Sequence, residues 1–93
     1  MPDLEWLATA IADLAEIVDH ISDDDPDAAQ ALWDEIEEKV ARLPENPRLY
    51  RVGRVAGTHE MVVRPSYVVV YVQTPETVSV LRVLHTARQW PEI

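Results

Sequence analysis

Ile11, Leu14, Val18 and Ile21 recur at steps of three and four while Asp13, Glu16 and Asp19 fall on other faces, so the spacing predicts an amphipathic helix of about three turns. Thr9 offers a side-chain oxygen to cap its start. The run Ser22-Asp23-Asp24-Asp25-Pro26 ends it. Asp25 stands where it would cap a second helix, and Pro26 suits that helix's first position, where no intrahelical bond is lost. Ala29, Leu32, Trp33, Ile36, Val40 and Leu43 then form a second stripe down to Pro44. The short link implies an antiparallel helical hairpin. Ahead of it, Leu4 to Leu7 alternates apolar and acidic residues, the pattern of a short strand.

Pro44, Asn46 and Pro47 break the helical pattern, and Arg48 to Gly57 reads as a loop or irregular edge strand. The period then changes to two. His59 to Arg64, Tyr67 to Val72 and Val78 to Leu84, separated by Pro65-Ser66 and by Gln73 to Thr77, predict an antiparallel meander. The middle strand is apolar on both faces and belongs in the centre. The architecture expected is α+β: a short N-terminal strand, then a helical hairpin packed on one face of a small sheet of three or four antiparallel strands. Ninety-three residues hold one such domain, 1–93. In the last strand Val78, Val80, Arg82 and Leu84 are expected on one face and Ser79, Leu81, Val83 and His85 on the other. Arg82 and His85 then converge only if the chain bends after Leu84.

The formal charge of −9 argues against a nucleic-acid ligand, because phosphate binding draws on Lys and Arg displacing counterions. Its distribution changes the picture. Residues 1–47 hold 14 acids against Lys39 and Arg42, while residues 48–93 hold six arginines against Glu60, Glu76 and Glu92. An acidic helical half and a basic sheet half suggest that an anionic partner meets a cationic β surface. Cysteine is absent, which removes disulfides, thiolate nucleophiles and Cys-based zinc sites. No apolar run approaches the roughly 18 residues of a membrane span, and Asp3 and Glu5 stand where a secretory leader would be basic. The expectation is a cytoplasmic protein without membrane contact.

An RNA-cleaving site needs a base for the 2′-hydroxyl, an acid for the leaving oxygen and cations for the charged phosphorane. His59 or His85 could supply proton transfer, Glu60 or Tyr71 could partner them, and Arg82, Arg54 or Arg88 could hold phosphate. A histidine at a strand end is more often structural, and His20, on an acidic helix, has no evident task. The three histidines lack zinc-ligand spacing, so neither metal nor cofactor is expected. Trp33 lies within an apolar stripe and reads as core. Trp6 and Trp90 would close its edges, while Tyr67 and Tyr71, on one face of the central strand, either pack or stack on a base.

Leu4-Glu5-Trp6, the pattern Ala10, Asp13, Leu14 and Ile17, Gly53-Arg54-Val55, Gly57-Thr58-His59-Glu60, Tyr67 to Tyr71, Arg82-Val83-Leu84-His85 and Arg88-Gln89-Trp90-Pro91 occur in an order that resembles the RelE/ParE toxin family, in its ParE-like branch, also labelled plasmid stabilisation proteins. The resemblance implies the toxin of a bacterial type II toxin-antitoxin pair, neutralised by a cognate antitoxin whose C-terminal segment wraps it. RelE-like members cleave messenger RNA on the ribosome with basic residues, a terminal-strand Arg and a C-terminal Tyr or His; ParE-like members poison DNA gyrase and lack that set. Arg82 and His85 fall at the terminal-strand positions. His59 replaces the usual Arg of the GTRE-like motif, and no lysine-rich loop is present. The reading favoured is a protein-binding toxin engaging its target through Arg54, Tyr71, Arg88 and Trp90. The alternative is a metal-independent ribonuclease using His85, Arg82 and His59.

Overall fold

Asp25 caps the second helix as its position predicts. The structure, a computed structural model, describes residues 2–86, and in it Asp25 is extended at φ −151° and accepts the Ala28 N–H on Oδ1 at 3.1 Å, with Pro26 opening the helix. The elements are β1 (Asp3–Trp6), α1 (Ala8–Ser22), α2 (Pro26–Ala41), a 3-10 turn (Leu43–Glu45), β2 (Arg51–Val52), β3 (Thr58–Arg64), β4 (Tyr67–Gln73) and β5 (Thr77–His85). Thr9 does not cap α1. The helix starts two residues earlier, with Leu7 in the cap position, and the Thr9 hydroxyl donates to the Leu81 carbonyl of β5 at 2.8 Å.

The sheet has five strands in the order β1-β5-β4-β3-β2. β5, β4, β3 and β2 are antiparallel neighbours, but β1 pairs parallel to β5 with Leu4 opposite Val78. The wholly antiparallel sheet of three or four strands is therefore corrected to a mixed sheet of five. The reason is topological: the helical hairpin and the meander bring β5 back with an open edge, and the first strand fills it in the same direction as β5. Alternation in Leu4 to Leu7 announces a strand but carries no information about its partner.

One face of the sheet carries both helices. Leu14 of α1 and Leu32, Ile36 and Val40 of α2 pack with Leu43 against Met61, Val69, Tyr71, Val78, Val80 and Val83. Each such side chain contributes roughly 1.5–3 kcal/mol through removal from water. Ala10 and Leu14, at i and i+4, hold the inner line of α1, so Ile11, expected in the core, is turned outward and is 53% exposed. On the opposite face Val68, Val70 and Leu84 form a second, smaller buried cluster. β4 is buried from Val68 through Tyr71 on both its faces, as its composition predicts.

A bulge in β5 decides what the last strand presents. Val70 pairs with Arg82 but Tyr71 pairs with Val80, leaving Leu81 as the extra residue. The alternation flips there. Val78 and Val80 therefore share the helix-side face with Val83 and with His85, which pairs with Tyr67, whereas Arg82 and Leu84 lie in the rows of Val70 and Val68. This corrects the face assignment expected for Val78, Val80, Arg82 and Leu84. Arg82 and His85, both beyond the bulge, remain on opposite faces, and β5 runs on through His85.

Candidate functional site

β1 covers β5 only as far as Val80, and the start of α1 takes over the uncovered edge. The Leu7 N–H donates to the Val80 carbonyl at 3.0 Å, Thr9 donates to Leu81, and Asp13 Oδ2 accepts the Val83 N–H at 3.1 Å. The same carboxylate accepts Arg82 Nε at 2.6 Å on Oδ2 and Nη2 at 3.0 Å on Oδ1. Asp13 is 9% exposed and the Arg82 side chain 20%. In such a setting removing one partner of a forked guanidinium–carboxylate pair costs far more than on an open surface. The arginine at the end of the terminal strand is thus committed to a helix carboxylate.

His85 occupies different surroundings. It meets Tyr67 edge to face, ring centroids 5.4 Å apart, at a cleft of about 220 Å³ bordered by Asp13, Glu16 and His20 of α1 and by Val83. Glu16 and His20 share a helix face at i and i+4, which brings His20, a residue without evident task in the sequence, to the same opening. The cleft combines imidazole, carboxylate and phenol groups.

His59 lies elsewhere. It stacks on Tyr71 with centroids 5.5 Å apart and planes 20° apart, and its Nδ1 is buried with no hydrogen-bond partner among the described residues. Its row on β4 is that of Tyr71, while His85 belongs to that of Tyr67. Four strand positions separate the rows, about 13 Å along the sheet. The structure therefore does not gather His59, Arg82 and His85 around one point. Tyr71 is itself wholly buried and donates its hydroxyl to the Pro47 carbonyl at 2.6 Å. Burial first, and then the neighbouring Tyr50, push its pKa up to about 12. Tyr71 presents no surface for a partner, which corrects its expected place in a contact face.

Arg54 is held by Glu60. Burial works to raise the Glu60 pKa, but the Arg54 backbone N–H, the Arg51 hydrogen bond and the two positive charges outweigh it and leave the carboxyl below its usual range. The distances are 3.0 Å from Arg51 Nη2, 3.0 Å from Arg54 N and 3.4 Å from Arg54 Nε. Arg64 places Nε and Nη2 on Glu35 of α2 at 3.2 and 3.1 Å. Arg51, Arg54, Arg64 and Arg82 are thus each tied to a carboxylate, on three different acids. Among the described residues these guanidiniums do not gather into one cationic β surface. Arg88 and Trp90 lie outside the described residues.

At the other side of the hairpin runs an apolar groove of about 460 Å³, formed by Leu4 and Trp6 of β1, Ile11 and Leu14 of α1, and Trp33 and Ala41 of α2. Glu37 stands in its wall and accepts the Trp33 indole N–H. Sequence reasoning missed this groove because it read Ile11 and Trp33 as core. The only trace was the surplus of apolar residues on α1 over what one buried stripe needs. Among the described residues no cluster of His, Asp or Glu converges to hold a metal ion, and no helix is long and apolar enough to cross a membrane.

A family profile described as the ParE toxin of the type II toxin-antitoxin system parDE matches residues 4–90. The chain belongs to the ParE toxin family. This ParE-family toxin is 33% identical over 90 residues to Y4kP of Sinorhizobium fredii, named as a toxin, spanning 97% of this chain and 94% of that one. It is 34% identical over 88 residues to toxin RelE2 of Caulobacter vibrioides, spanning 95% and 99%. Among solved structures it is similar to the chromosomal ParDE system of P. aeruginosa, with a TM-score of 0.82 and 26% identity over 91% of this chain and 96% of that one. A chain of the E. coli DinJ–YafQ complex shares the fold at a TM-score of 0.70 and 14% identity, over 97% and 99% of the two chains. The α+β architecture and the role of toxin in a type II toxin-antitoxin system follow from the family.

Proposed function

We propose that this ParE-family toxin acts in the cytoplasm by docking on a protein target, DNA gyrase being the one the family resemblance names, and not by cutting RNA. The observation that carries the reading is the Asp13–Arg82 pair. A ribonuclease of this family needs its terminal-strand arginine available to phosphate, and here that guanidinium lies in the grip of a helix carboxylate. The acidic balance of the chain adds to this, since entry into a ribosomal RNA environment is driven by cations. Arg54, and Arg88 and Trp90 with it, would belong to the contact surface.

A cognate antitoxin completes the proposal. The groove along β1, α1 and α2 suits an apolar segment, and its setting in the acidic half of the chain calls for basic residues flanking that segment. Antitoxin-containing complexes among the fold neighbours support a partner of this kind.

The deciding experiment adds purified toxin to a gyrase supercoiling assay and, separately, to translating ribosomes with mapping of message ends. Inhibited supercoiling with intact message supports the proposal. Message cut at codon positions, with the cuts lost in His85→Ala, would replace it with the ribonuclease reading, for which the imidazoles, carboxylates and phenol around the His85 cleft supply the proton-transfer groups.

A further inference from the structure

Arg51–Val52, the edge strand β2, lies at the opposite end of the sheet from the β1 groove. The Gly53 N–H donates to the Thr58 carbonyl at 2.7 Å, which makes Gly53 and Thr58 a bonded pair. By the alternation of an antiparallel ladder Arg51 and Glu60 are bonded as well, and Val52, opposite His59, turns its own N–H and C=O outward. The side chains there are the most exposed large apolar groups described: Val52 at 75% and Leu49 at 70%. Native edges are kept short or charged so that they do not pair with copies of themselves, and β2, two residues long, is both. This one carries apolar side chains between Arg48, Arg51 and Arg54.

The edge is also closely packed on its inner side. A Cβ on Gly53 would come within 2.1 Å of Thr58 Oγ1, so the loop closes tightly on the strand. Thr58 donates to the Val55 carbonyl through both its N–H and its hydroxyl. Glu60, 2% exposed, fixes Arg51 and the Arg54 backbone from beneath, leaving 59% of the Arg51 side chain and 44% of the Arg54 side chain in solvent. Three arginines set against one buried acid leave this strip positive on a chain of net charge −9. Arg48 has no carboxylate partner among the described residues.

We propose that the β2 edge takes up an extended acidic segment of a partner protein, which pairs with the outward N–H and C=O of Val52 as a sixth strand. Side chains of an added strand alternate between faces, so its acidic residues meet Arg51 and its apolar residues cover Val52. The matching sequence alternates acidic and apolar positions. RNA fits less well, because the most exposed neighbours, Leu49 and Val52, are aliphatic, the rings of Tyr50 and His59 are half-buried, and two of the guanidiniums share a carboxylate. The site is separate from the groove assigned to the antitoxin, and it shares Arg54 with the contact surface proposed for the target.

The test titrates isotope-labelled full-length toxin with a short peptide of alternating Val and Glu, with its Val and Lys counterpart, and with oligouridylate. The Val–Glu peptide is expected to shift the amides of Arg51, Val52 and Gly53, slow hydrogen exchange at Val52, and weaken as salt is raised. Arg48→Glu is expected to weaken binding about fivefold, and Val52→Lys to abolish it with the thermal midpoint unchanged, since both side chains are exposed. Binding of the Lys peptide or of oligouridylate as tight as that of the Glu peptide overturns the proposal, as do shifts confined to Leu4, Ile11 and Trp33.

Discussion

Asp13 and Arg82, 69 positions apart in sequence, meet in a two-point contact, and the same carboxylate also accepts the backbone N–H of Val83. One side chain of α1 therefore fixes both an arginine and the main chain of β5 just past the bulge, where β1 no longer covers the edge. This contact removes Arg82 from the surface and joins the helical layer to the sheet.

Loss of the Asp13 carboxylate takes a two-point contact from a half-buried Arg82 and the acceptor from the Val83 N–H. Asp13→Ala is expected to cost about 3 kcal/mol, and Asp13→Asn less, because an amide oxygen still serves Val83. Urea midpoints of Asp13→Ala, of Arg82→Ala and of the double variant, analysed as a cycle, measure the pair. A change within about 0.5 kcal/mol for Asp13→Ala, the range of ordinary surface substitutions, would show the contact to be idle.

Glu60 makes stability depend on pH in one direction. Its folded pKa lies below the reference 4.5, so the folded state holds the proton less tightly than the unfolded chain does. The contribution is complete above the unfolded value and is lost as pH falls through the folded one. The stability gap between the wild type and Glu60→Gln should therefore be widest near neutrality and narrow on acidification below about 4.5. A gap that widens in acid contradicts the assignment.

Tyr71 carries the opposite dependence. With its pKa raised from 10.0 to about 12, the folded state keeps the phenol protonated, and that stabilisation is present below the unfolded value and lost as pH rises towards the folded one. Ultraviolet titration should show one tyrosine ionising near 12 that vanishes in Tyr71→Phe. The variant loses the bond to Pro47, at a cost of about 1 kcal/mol.

Ile11 lies exposed in the β1–α1–α2 groove, so Ile11→Asp should leave the thermal midpoint unchanged. If the antitoxin segment fills that groove, the substitution weakens the toxin–antitoxin complex more than about tenfold, as burying an unpaired charge demands. Calorimetry with the cognate antitoxin checks this. Equal affinity places the antitoxin elsewhere.

The two glycines differ in what they forbid. Gly57 has φ +84° with open space around it, so Gly57→Ala costs about 1 kcal/mol through backbone conformation alone. Gly53→Ala drives a methyl into Thr58 Oγ1 and is expected to cost more, about 1–3 kcal/mol. Denaturation of both variants gives the order, and the reverse order refutes the close approach.

Local chemistry explains which parts of the molecule could be read in advance. Asp25-Pro26 marked a helix start because cap and first-turn preferences act within a few residues, and the run Tyr67 to Val72 marked the central strand because only a doubly covered strand tolerates apolar residues on both faces. The bulge at Leu81 had no such marker. It arises where β1 ends and α1 begins to supply hydrogen bonds, and that single extra residue reversed the expected faces of the strand end. Arg82 and His59 carried the right chemistry for catalysis, but their partners, Asp13 and Tyr71, were visible only once the sheet was assembled. Ile11 looked like core by period, although Ala10 holds the inner position.

Because β1 lies parallel against β5, with Glu5 bonded to Ser79 across 74 positions, the sheet cannot be completed during synthesis until the last strand has left the ribosome. A nascent toxin interrupted before Thr77 leaves its first strand without a neighbour. β1 therefore gains its neighbour only after β5 has emerged, and until then an antitoxin segment would meet a sheet with that edge open.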